Sequence, residues 1–595
     1  MAKDFQIVTE FKGYVNKADI TKIDQGYLVS PSQNVLINDG EKITIRNGYS
    51  LYGAASSALY PITSSHEWNT STGTELPLRF ANTTLEYYYS SAWRTLKTGF
   101  ISSATLNFTE FWDATEVQDL LLFVDNTSNM YMWSGGVTTY ASSTVNTITK
   151  QGAGLWSEAR FLTTGTRQVI IGGITYTYTG GEGTTTLTGV TPDPTAGGHM
   201  AGDVVAQAVR VTANTPAVGV NNTIIGTLNN HVYVASTVNR DVYISKNTNY
   251  LDFTFSAPRL PGEGGLLTLD SPPVAFGVGE KDMYVSAGKN ELYQTVFTLS
   301  ADLTTESVVI QRLKTNPGGG ALAQSSIGNA KNYLIYVSNE KIVDFIGRVE
   351  SIDTPQSRPL SDPIKAEVEG YSVVIAPHVK YFKSRTYIAF PSESRVLIYD
   401  HERGFWHAPQ VLPVRRFAVI GGELYGHSNG VTETYKLFTG TNDNTNPIDA
   451  RAYFAYRSYD KRDHKKQFNE WFTEGYINSN TVLNLGIKYE FGGSLSIIEK
   501  TIPGTGNDNI IFSTTADGSF GKNPFGTMPL GSITDSPSNL SKFRIIHECT
   551  KNELDFYEVQ SFYSTNEVDA QWELLAQGGN VNLATADNMS IKVGT

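Results

Sequence analysis

The most chemically suggestive stretch of the sequence is a basic run, YRSYDKRDHKKQ, at residues 456–467. Cations spaced this closely neutralise phosphates or carboxylates, so the run predicts contact with DNA or with an acidic neighbouring subunit. Asp460 and Asp463 balance part of the charge, and the alternative is therefore a solvated hairpin turn. The candidate contact residues are Arg457, Lys461, Arg462, Lys465 and Lys466.

A second candidate is the glycine- and proline-rich stretch STTADGSFGKNPFGTMPLGSI at residues 513–533. Its composition predicts a long exposed loop. Apolar side chains on such a loop indicate docking to a partner, and the alternative is a loop folded back on its own domain. The candidate docking residues are Phe520, Phe525, Met528 and Leu530.

No pattern predicts an enzyme active site or a cofactor site. Asp and Glu are plentiful, but no spacing selects the carboxylate pair that a glycosidase needs. His401 and His407 flank ERGFW without a third ligand at metal spacing, and Cys549 is the single cysteine. The glycine pairs lack the following Lys-Ser or Lys-Thr of a phosphate loop. We predict no catalytic residue, no metal ligand and no cofactor, and hence a protein that is not an enzyme.

The bulk composition narrows the function classes further. The formal net charge is −12 and the isoelectric point about 5.3, whereas a protein that binds nucleic acid over its whole surface is normally basic. The first twenty residues contain no apolar segment of the secretion-signal type, so we expect synthesis in a cytoplasm without export by that route.

The elements that would position any site are short strands. The chain is rich in Thr, Tyr and Phe, which suit a pleated surface, and in Gly and Asn, which suit turns. Apolar strands that enter a polar turn and return recur along the chain, with a central Tyr at 233, 284, 336 and 387. Their separations of 51, 52 and 51 residues are typical of propeller blades.

Two departures from this spacing indicate additional domains. Residues 159–198 have their own alternation between glycine pairs and predict a small inserted β domain. After about residue 446 the strands become longer. We predict an all-β fold: a β-propeller core with a small inserted β domain and a C-terminal β-sandwich-like domain. The predicted divisions are 1–150 for the N-terminal hairpin and first blades, 151–215 for the insertion, 216–445 for the remaining blades and 446–595 for the sandwich.

The stretch YLVSPSQNVLINDGEKITIRNGYSLYG, at residues 27–53, contains alternating strands around an Asp-Gly turn. It predicts a hairpin of residues 35–37 with 43–45. We expect this hairpin to form outer strands that start or close the propeller, joining the N-terminus to the last blade.

This stretch resembles a motif near the N-terminus of bacteriophage virion β-propeller proteins of the tail nozzle, tail tubular and head-to-tail stabilisation class. Three later phrases are similar to others of that class: VQDLLLFVDNTSNMYMWSGG, NNHVYVASTVNRDVYISKNTNYLDF and RVLIYDHERGFWH. The matching positions in the N-terminal motif are Pro31, Asn34, residues 35–37, the Asp-Gly turn at 39–40, the basic strand at 43–46 and the Gly-Tyr pair at 48–49.

The resemblance implies a structural protein of the virion tail: the nozzle, or a neck or tail-tube ring. It implies a homo-oligomer, a hexameric ring, that serves as a conduit and gate for genomic DNA. Its implied neighbours are other tail and neck proteins, a tail fibre or adaptor, and a host surface receptor. The acidic charge leads us to expect a lumen that repels DNA. The alternatives are a receptor- or glycan-binding tail-tip or baseplate protein and, third, a polysaccharide-degrading propeller enzyme.

Overall fold

The computed structural model describes the chain from residue 3 to residue 583, with gaps. The gaps are 9, 17–22, 25, 39–41, 54–58, 103, 217–219, 248, 280–281, 289–290, 300–305, 314–318, 331–332, 348–358, 456–465, 479–480, 492–493, 504–509, 515–539, 549–554, 557–558, 568–569 and 571. The predicted fold class is confirmed: the chain forms a β-propeller core, a small inserted β domain and a C-terminal β-sandwich-like domain.

Helices are few among the described residues. The α-helix is Lys365–Gly370. The 3-10 turns are Pro194–Gly197, Gln324–Ser326, Asp362–Ile364 and Pro391–Glu393.

The described part of the propeller has seven antiparallel blades, numbered here in ring order with their strands given from the channel outward. Blade 1 is Ile62–Asn69, Glu75–Ala81, Thr84–Tyr89 and Ala92–Lys97. Blade 2 is Asn107–Asp113, Gln118–Val124, Met130–Trp133 and Arg210–Thr212. Blade 3 is Ile224–Leu228, His231–Ala235, Asp241–Ile244 and Gly265–Thr268. Blade 4 is Pro273–Val278, Met283–Ala287, Glu291–Leu299 and Glu306–Arg312.

The remaining blades complete the circle. Blade 5 contributes Ile327–Ala330, Tyr333–Val337 and Val343–Gly347. Blade 6 is His378–Phe382, Arg385–Phe390 and Arg395–Asp400, whose last strand pairs with both Phe405–Trp406 and Gln410–Val411. Blade 7 is Val414–Ile420, Glu423–Ser428, Thr434–Leu437 and, from the N-terminal segment, Tyr49–Leu51. The innermost strand of blade 7 packs against that of blade 1, so the ring is closed.

The tyrosine repeat in the sequence corresponds to the second strand of blades 3 to 6. Such strands are buried on both faces because each blade is covered by its two neighbours. Gln118–Val124 and His231–Ala235, for example, are almost wholly buried. Each second strand therefore needs a continuous apolar run of four or five residues, and the recurrence of these runs is the tyrosine repeat seen in the sequence.

The inserted domain lies between the third and fourth strands of blade 2. The sequence predicted bounds of 151–215 for this domain, whereas its strands run from residue 137 to residue 207. The domain ends before residue 215 because Arg210–Thr212 returns to complete blade 2. It has its own core around Trp156, Phe161 and Tyr178. The strands are Val137–Thr144, Thr147–Lys150, Gln168–Ile171, Ile174–Thr177, Thr186–Thr188 and Val204–Gln207.

The C-terminal domain consists of two sheets that share one apolar core. Both sheets take strands from the N-terminal segment, which the predicted divisions placed with the first blades. The first sheet is Val35–Ile37, Ile43–Ile45, Trp572–Leu583, Lys466–Asn478, Leu540–Glu548 and Ile510–Thr514, with Lys3–Val8 and Asp555–Phe556 alongside. The second is Gly13–Tyr14, Tyr27–Gln33, Ala450–Phe454, Val559–Thr565, Val482–Phe491 and Ser494–Pro503.

The predicted N-terminal hairpin is present, with Val35 opposite Ile45 and Ile37 opposite Ile43. Its expected place in the propeller is wrong. The hairpin extends the first sheet of the C-terminal domain through Ile43–Ile45, and the following strand, Tyr49–Leu51, closes blade 7. The physical reason is burial: Val35, Ile37 and Ile43 of the hairpin are fully buried at the domain junction, whereas an outer blade strand is half-exposed, as Tyr49–Leu51 is.

Candidate functional site: the junction of propeller and C-terminal domain

The residues singled out by charge and by loop composition are not brought together within the described chain. Arg457, Lys461, Arg462 and Lys465 lie outside the described residues, as do Phe520, Phe525, Met528 and Leu530. Lys466 is the first residue of the strand Lys466–Asn478 and is opposite Leu583 in the first C-terminal sheet.

The N-terminal motif, by contrast, gathers into one buried site where blades 6 and 7 meet the C-terminal domain. We call this site the junction. Its polar members are Asn34, Arg46, His407, Gln410 and Asp443. The first two were singled out by the resemblance, and the last three were not assigned this role from the sequence.

Arg46 is the centre of the junction, and its side chain is fully buried. Its two terminal nitrogens bind Asp443 in a bidentate pair, with N–O distances of 2.7 and 2.6 Å. The guanidinium also donates to the carbonyl oxygen of Val411 at 2.9 Å, to that of Asn47 at 3.1 Å and to Asn34 Oδ1 at 3.2 Å. The planar fork of arginine thereby joins the N-terminal segment to blade 6 and to the chain leaving blade 7.

Asn34 lies between the strands Tyr27–Gln33 and Val35–Ile37 with a φ of 57°. Asparagine tolerates this left-handed conformation better than most residues, which accounts for its position in the motif. Its side chain accepts from Val411 N at 2.7 Å and donates to the carbonyl oxygen of Asp449 at 2.9 Å. One side chain thus contacts both the propeller and the second C-terminal sheet.

Gly48 is required by a close approach rather than by its backbone angle. A Cβ atom there would lie 1.8 Å from the carbonyl oxygen of Asn442. The Gly48 N–H donates to Gly440 O at 3.0 Å, and its carbonyl accepts from Thr439 N at 2.9 Å. These bonds guide the chain into Tyr49–Leu51, the strand that closes blade 7.

His407 and Gln410 hold the hairpin from the side of blade 6. His407 Nδ1 accepts from Ile37 N at 3.2 Å, and Gln410 Nε2 donates to the Val35 carbonyl at 3.1 Å. Burial lowers the pKa of His407, which keeps Nδ1 unprotonated and able to accept. Burial alone would raise the pKa of Asp400, but its contacts with His407 and Arg385 lower it overall, so it remains an anion 3.7 Å from His407 Nε2.

A second polar contact ties the sandwich to the helix that precedes blade 6. Glu367 accepts from Tyr14 OH at 2.9 Å and from Asn16 Nδ2 at 2.8 Å, and Tyr371 OH also donates to it. Burial, reinforced by the Glu367 charge, raises the pKa values of Tyr14 and Tyr371, so both phenols stay protonated donors.

His401, the other histidine noted in the sequence, packs among the rings of Tyr333, Tyr381 and Tyr399. Within the described ranges, no group of three or more His, Cys, Asp or Glu side chains is arranged to hold a metal ion. The described helices include none long and apolar enough to cross a bilayer.

Comparison with known proteins finds distant structural similarity. No protein-family model matches the chain, and no curated protein sequence matches it significantly. Among solved structures, Saccharomyces cerevisiae Sqt1 is 9% identical over 68% of this chain and 99% of its own, with a TM-score of 0.32. Kluyveromyces lactis Hsv2 is 9% identical over 58% and 97%, with a TM-score of 0.23. The BBS1N chain solved in complex with ARL6DN is 11% identical over 66% and 98%, with a TM-score of 0.24. Likeness at this level carries no information about function, and the chain is, from its own sheets, a β-propeller protein.

Proposed function

We propose that this protein is a non-enzymatic structural component of a bacteriophage tail: the nozzle or a neck or tail-tube ring that forms a conduit and gate for genome ejection. The observation that carries the proposal is the junction. The motif that resembles the N-terminal motif of these virion proteins is the one whose Asn34, Arg46 and Gly48 fasten the propeller to the C-terminal domain.

The junction suits a protein that forms a wall. A wall subunit has to keep its domains in a fixed arrangement while DNA passes and while the tail engages a cell. Here the N-terminal segment supplies strands to both sheets of the sandwich and the closing strand of blade 7, so neither domain is complete without it. A bidentate buried ion pair adds directional hydrogen bonds to this shared backbone.

The propeller's own channel is too narrow to be the DNA path. Glu67 of blade 1 accepts hydrogen bonds from Lys380 of blade 6 and from Val419 N of blade 7, so groups from three successive blades meet at its wall. The space beside them is about 300 Å³. In the proposed assembly, DNA therefore runs through a lumen enclosed by several copies of the chain, lined by acidic residues that keep the duplex from adhering.

The test is the mass of the purified full-length chain in solution, measured by sedimentation across a range of protein and salt concentrations. The proposal predicts a closed oligomer, with six times the chain mass of 65.2 kDa. A monomer under all conditions would overturn it. Binding on a glycan array by such a monomer would favour a tail-tip receptor-binding protein, and release of sugars in a depolymerase assay would favour a propeller enzyme.

A further inference from the structure

The central channel of the propeller contains two adjoining cavities, of about 140 and 300 Å³, and the smaller one lies near the end where the innermost strands begin. Blades 1, 2, 5, 6 and 7 all contribute to the walls. The smaller cavity has a mainly polar lining, which includes Ser64, Ser65, His66, His378 and Arg416. Neither the fold nor the junction requires this concentration of polar side chains on the propeller axis.

Arg416 is the most unusual residue of this lining, because it is 6% exposed and forms no ion pair with any described carboxylate. Its Nε donates to Thr63 O at 2.9 Å, and Nη1 lies 3.4 Å from the carbonyl oxygens of Ala376 and Arg415. Among the described residues, these carbonyl oxygens are its hydrogen-bond partners, and none of them carries a charge. Burial, together with the neighbouring Arg415, lowers its pKa to about 9, which leaves it cationic at neutral pH.

A buried cation that contacts only neutral acceptors carries a large desolvation cost. Glu67, the carboxylate that lines the adjoining cavity, does not relieve it, because Glu67 binds Lys380 and Val419 N. The charge of Arg416 is therefore available to a ligand.

Two further hydrogen-bond donors, on His378 and Ser64, line the same cavity. His378 Nδ1 accepts from Phe417 N at 3.0 Å, so the neutral ring carries its proton on Nε2 and can donate from that atom. Ser64 Oγ accepts from Leu106 N at 2.8 Å, which leaves its hydroxyl proton for another acceptor. Arg416, His378 and Ser64 thus offer donors from blades 7, 6 and 1 at one cavity.

We infer that this cavity is a binding site for a small oxyanion, a free phosphate or the phosphate group of a small molecule, held by Arg416, His378 and Ser64. Arginine is suited to phosphate because its fork of N–H groups matches two of the oxygens. The anion would neutralise the buried charge and link three blades across the ring closure, so occupancy would stabilise the propeller. This inference is independent of the proposed function.

The test is isothermal titration of the full-length protein with inorganic phosphate and, in a second arm, with a sugar phosphate monoester. We expect one site per chain and a rise in the thermal midpoint on saturation. Tighter binding of the monoester would identify the larger molecule as the ligand, and equal binding would identify the free ion. Absence of binding by both probes would overturn the inference.

Variants then locate the site. Arg416→Met should weaken phosphate binding about a hundredfold, because it removes the charged partner. Arg94→Met is the matched control: Arg94 is an arginine of blade 1 whose Nε donates to Tyr89 O at 3.3 Å, and it does not line the cavity. The Arg94→Met variant should bind phosphate with the same affinity as the unaltered protein.

A third variant keeps the test valid if Arg416→Met does not fold. His378→Asn retains an acceptor for Phe417 N near the position of Nδ1 and removes the donor at Nε2. It should weaken phosphate binding about tenfold, the loss expected for one hydrogen bond to a charged group. A folded His378→Asn protein with unchanged affinity would place any bound phosphate elsewhere and would overturn the inference.

Discussion

Replacement of Arg46 by Met tests the energetic role of the junction. The substitution keeps most of the side-chain volume and removes every hydrogen bond of the guanidinium, including the pair to Asp443 at 2.6 and 2.7 Å. Asp443 would be left as a largely buried anion, with 16% of its side chain exposed. Two hydrogen bonds to a charged group are worth about 3–6 kcal/mol, and removing one member of a buried pair costs about 3–5 kcal/mol.

We therefore expect Arg46→Met to lower the free energy of unfolding by about 3–5 kcal/mol. The assay is urea unfolding followed by tryptophan fluorescence and by limited proteolysis, since the two domains need not unfold together once the junction is weakened. Arg94→Met, which loses one 3.3 Å hydrogen bond, is the control and should change stability by less than about 1 kcal/mol.

A double-mutant cycle measures the energetic coupling between Arg46 and Asp443. Asp443→Asn leaves Arg46 buried without an anion, and the double variant Arg46→Met with Asp443→Asn removes both charges. The loss of stability in the double variant should be smaller than the sum of the two single-variant losses by about 2 kcal/mol or more. If Arg46→Met costs no more than Arg94→Met, or if the losses are additive, the ion pair does not hold the junction.

Three further outcomes are expected. Gly48→Ala should lower the thermal midpoint by several degrees, because its Cβ would overlap a backbone carbonyl at 1.8 Å, whereas Gly430→Ala, in open space, should leave it unchanged. Burial lowers the pKa of His427 to about 3, so the unfolded chain takes up the proton first, and this residue should contribute about 2 kcal/mol to the loss of stability between pH 7 and pH 5. His427→Gln should show a smaller loss in urea titrations at the two pH values, and an equal loss would contradict this assignment. If the basic run contacts an acidic neighbouring subunit, Lys461→Glu with Lys465→Glu should shift the sedimenting species toward the monomer, and an unchanged oligomer would favour the solvated turn.

Features with a local physical cause could be predicted from the sequence. The second strands of the blades are covered on both faces, so they must be apolar, and the strands that contain the buried Tyr233, Tyr336 and Tyr387 recur along the chain for that reason. The hairpin of Val35–Ile37 with Ile43–Ile45 is also local, because its strands and turn are contiguous in the chain.

The rest depends on partners that are distant in the chain. Arg46 and Asp443 are 397 residues apart, and neither has a sequence neighbour that indicates the other. A similarly large separation in sequence makes the pairing of Tyr49–Leu51 with Thr434–Leu437 unpredictable, since a short half-exposed strand fits a blade edge or a sandwich edge equally well. Asn34 and Gly48 stood out in the motif, but their roles depend on contacts with residues near 411 and 442.

In the proposed function, copies of this chain enclose a path for DNA. Electron microscopy of the purified full-length protein, with class averages that resolve individual propellers, tests it most directly. The proposed conduit requires closed rings of six chains around an open lumen wide enough for duplex DNA, with an acidic inner surface. Separate single-chain particles would contradict the conduit, and a closed ring with a strongly basic lumen would contradict the proposed repulsion of DNA.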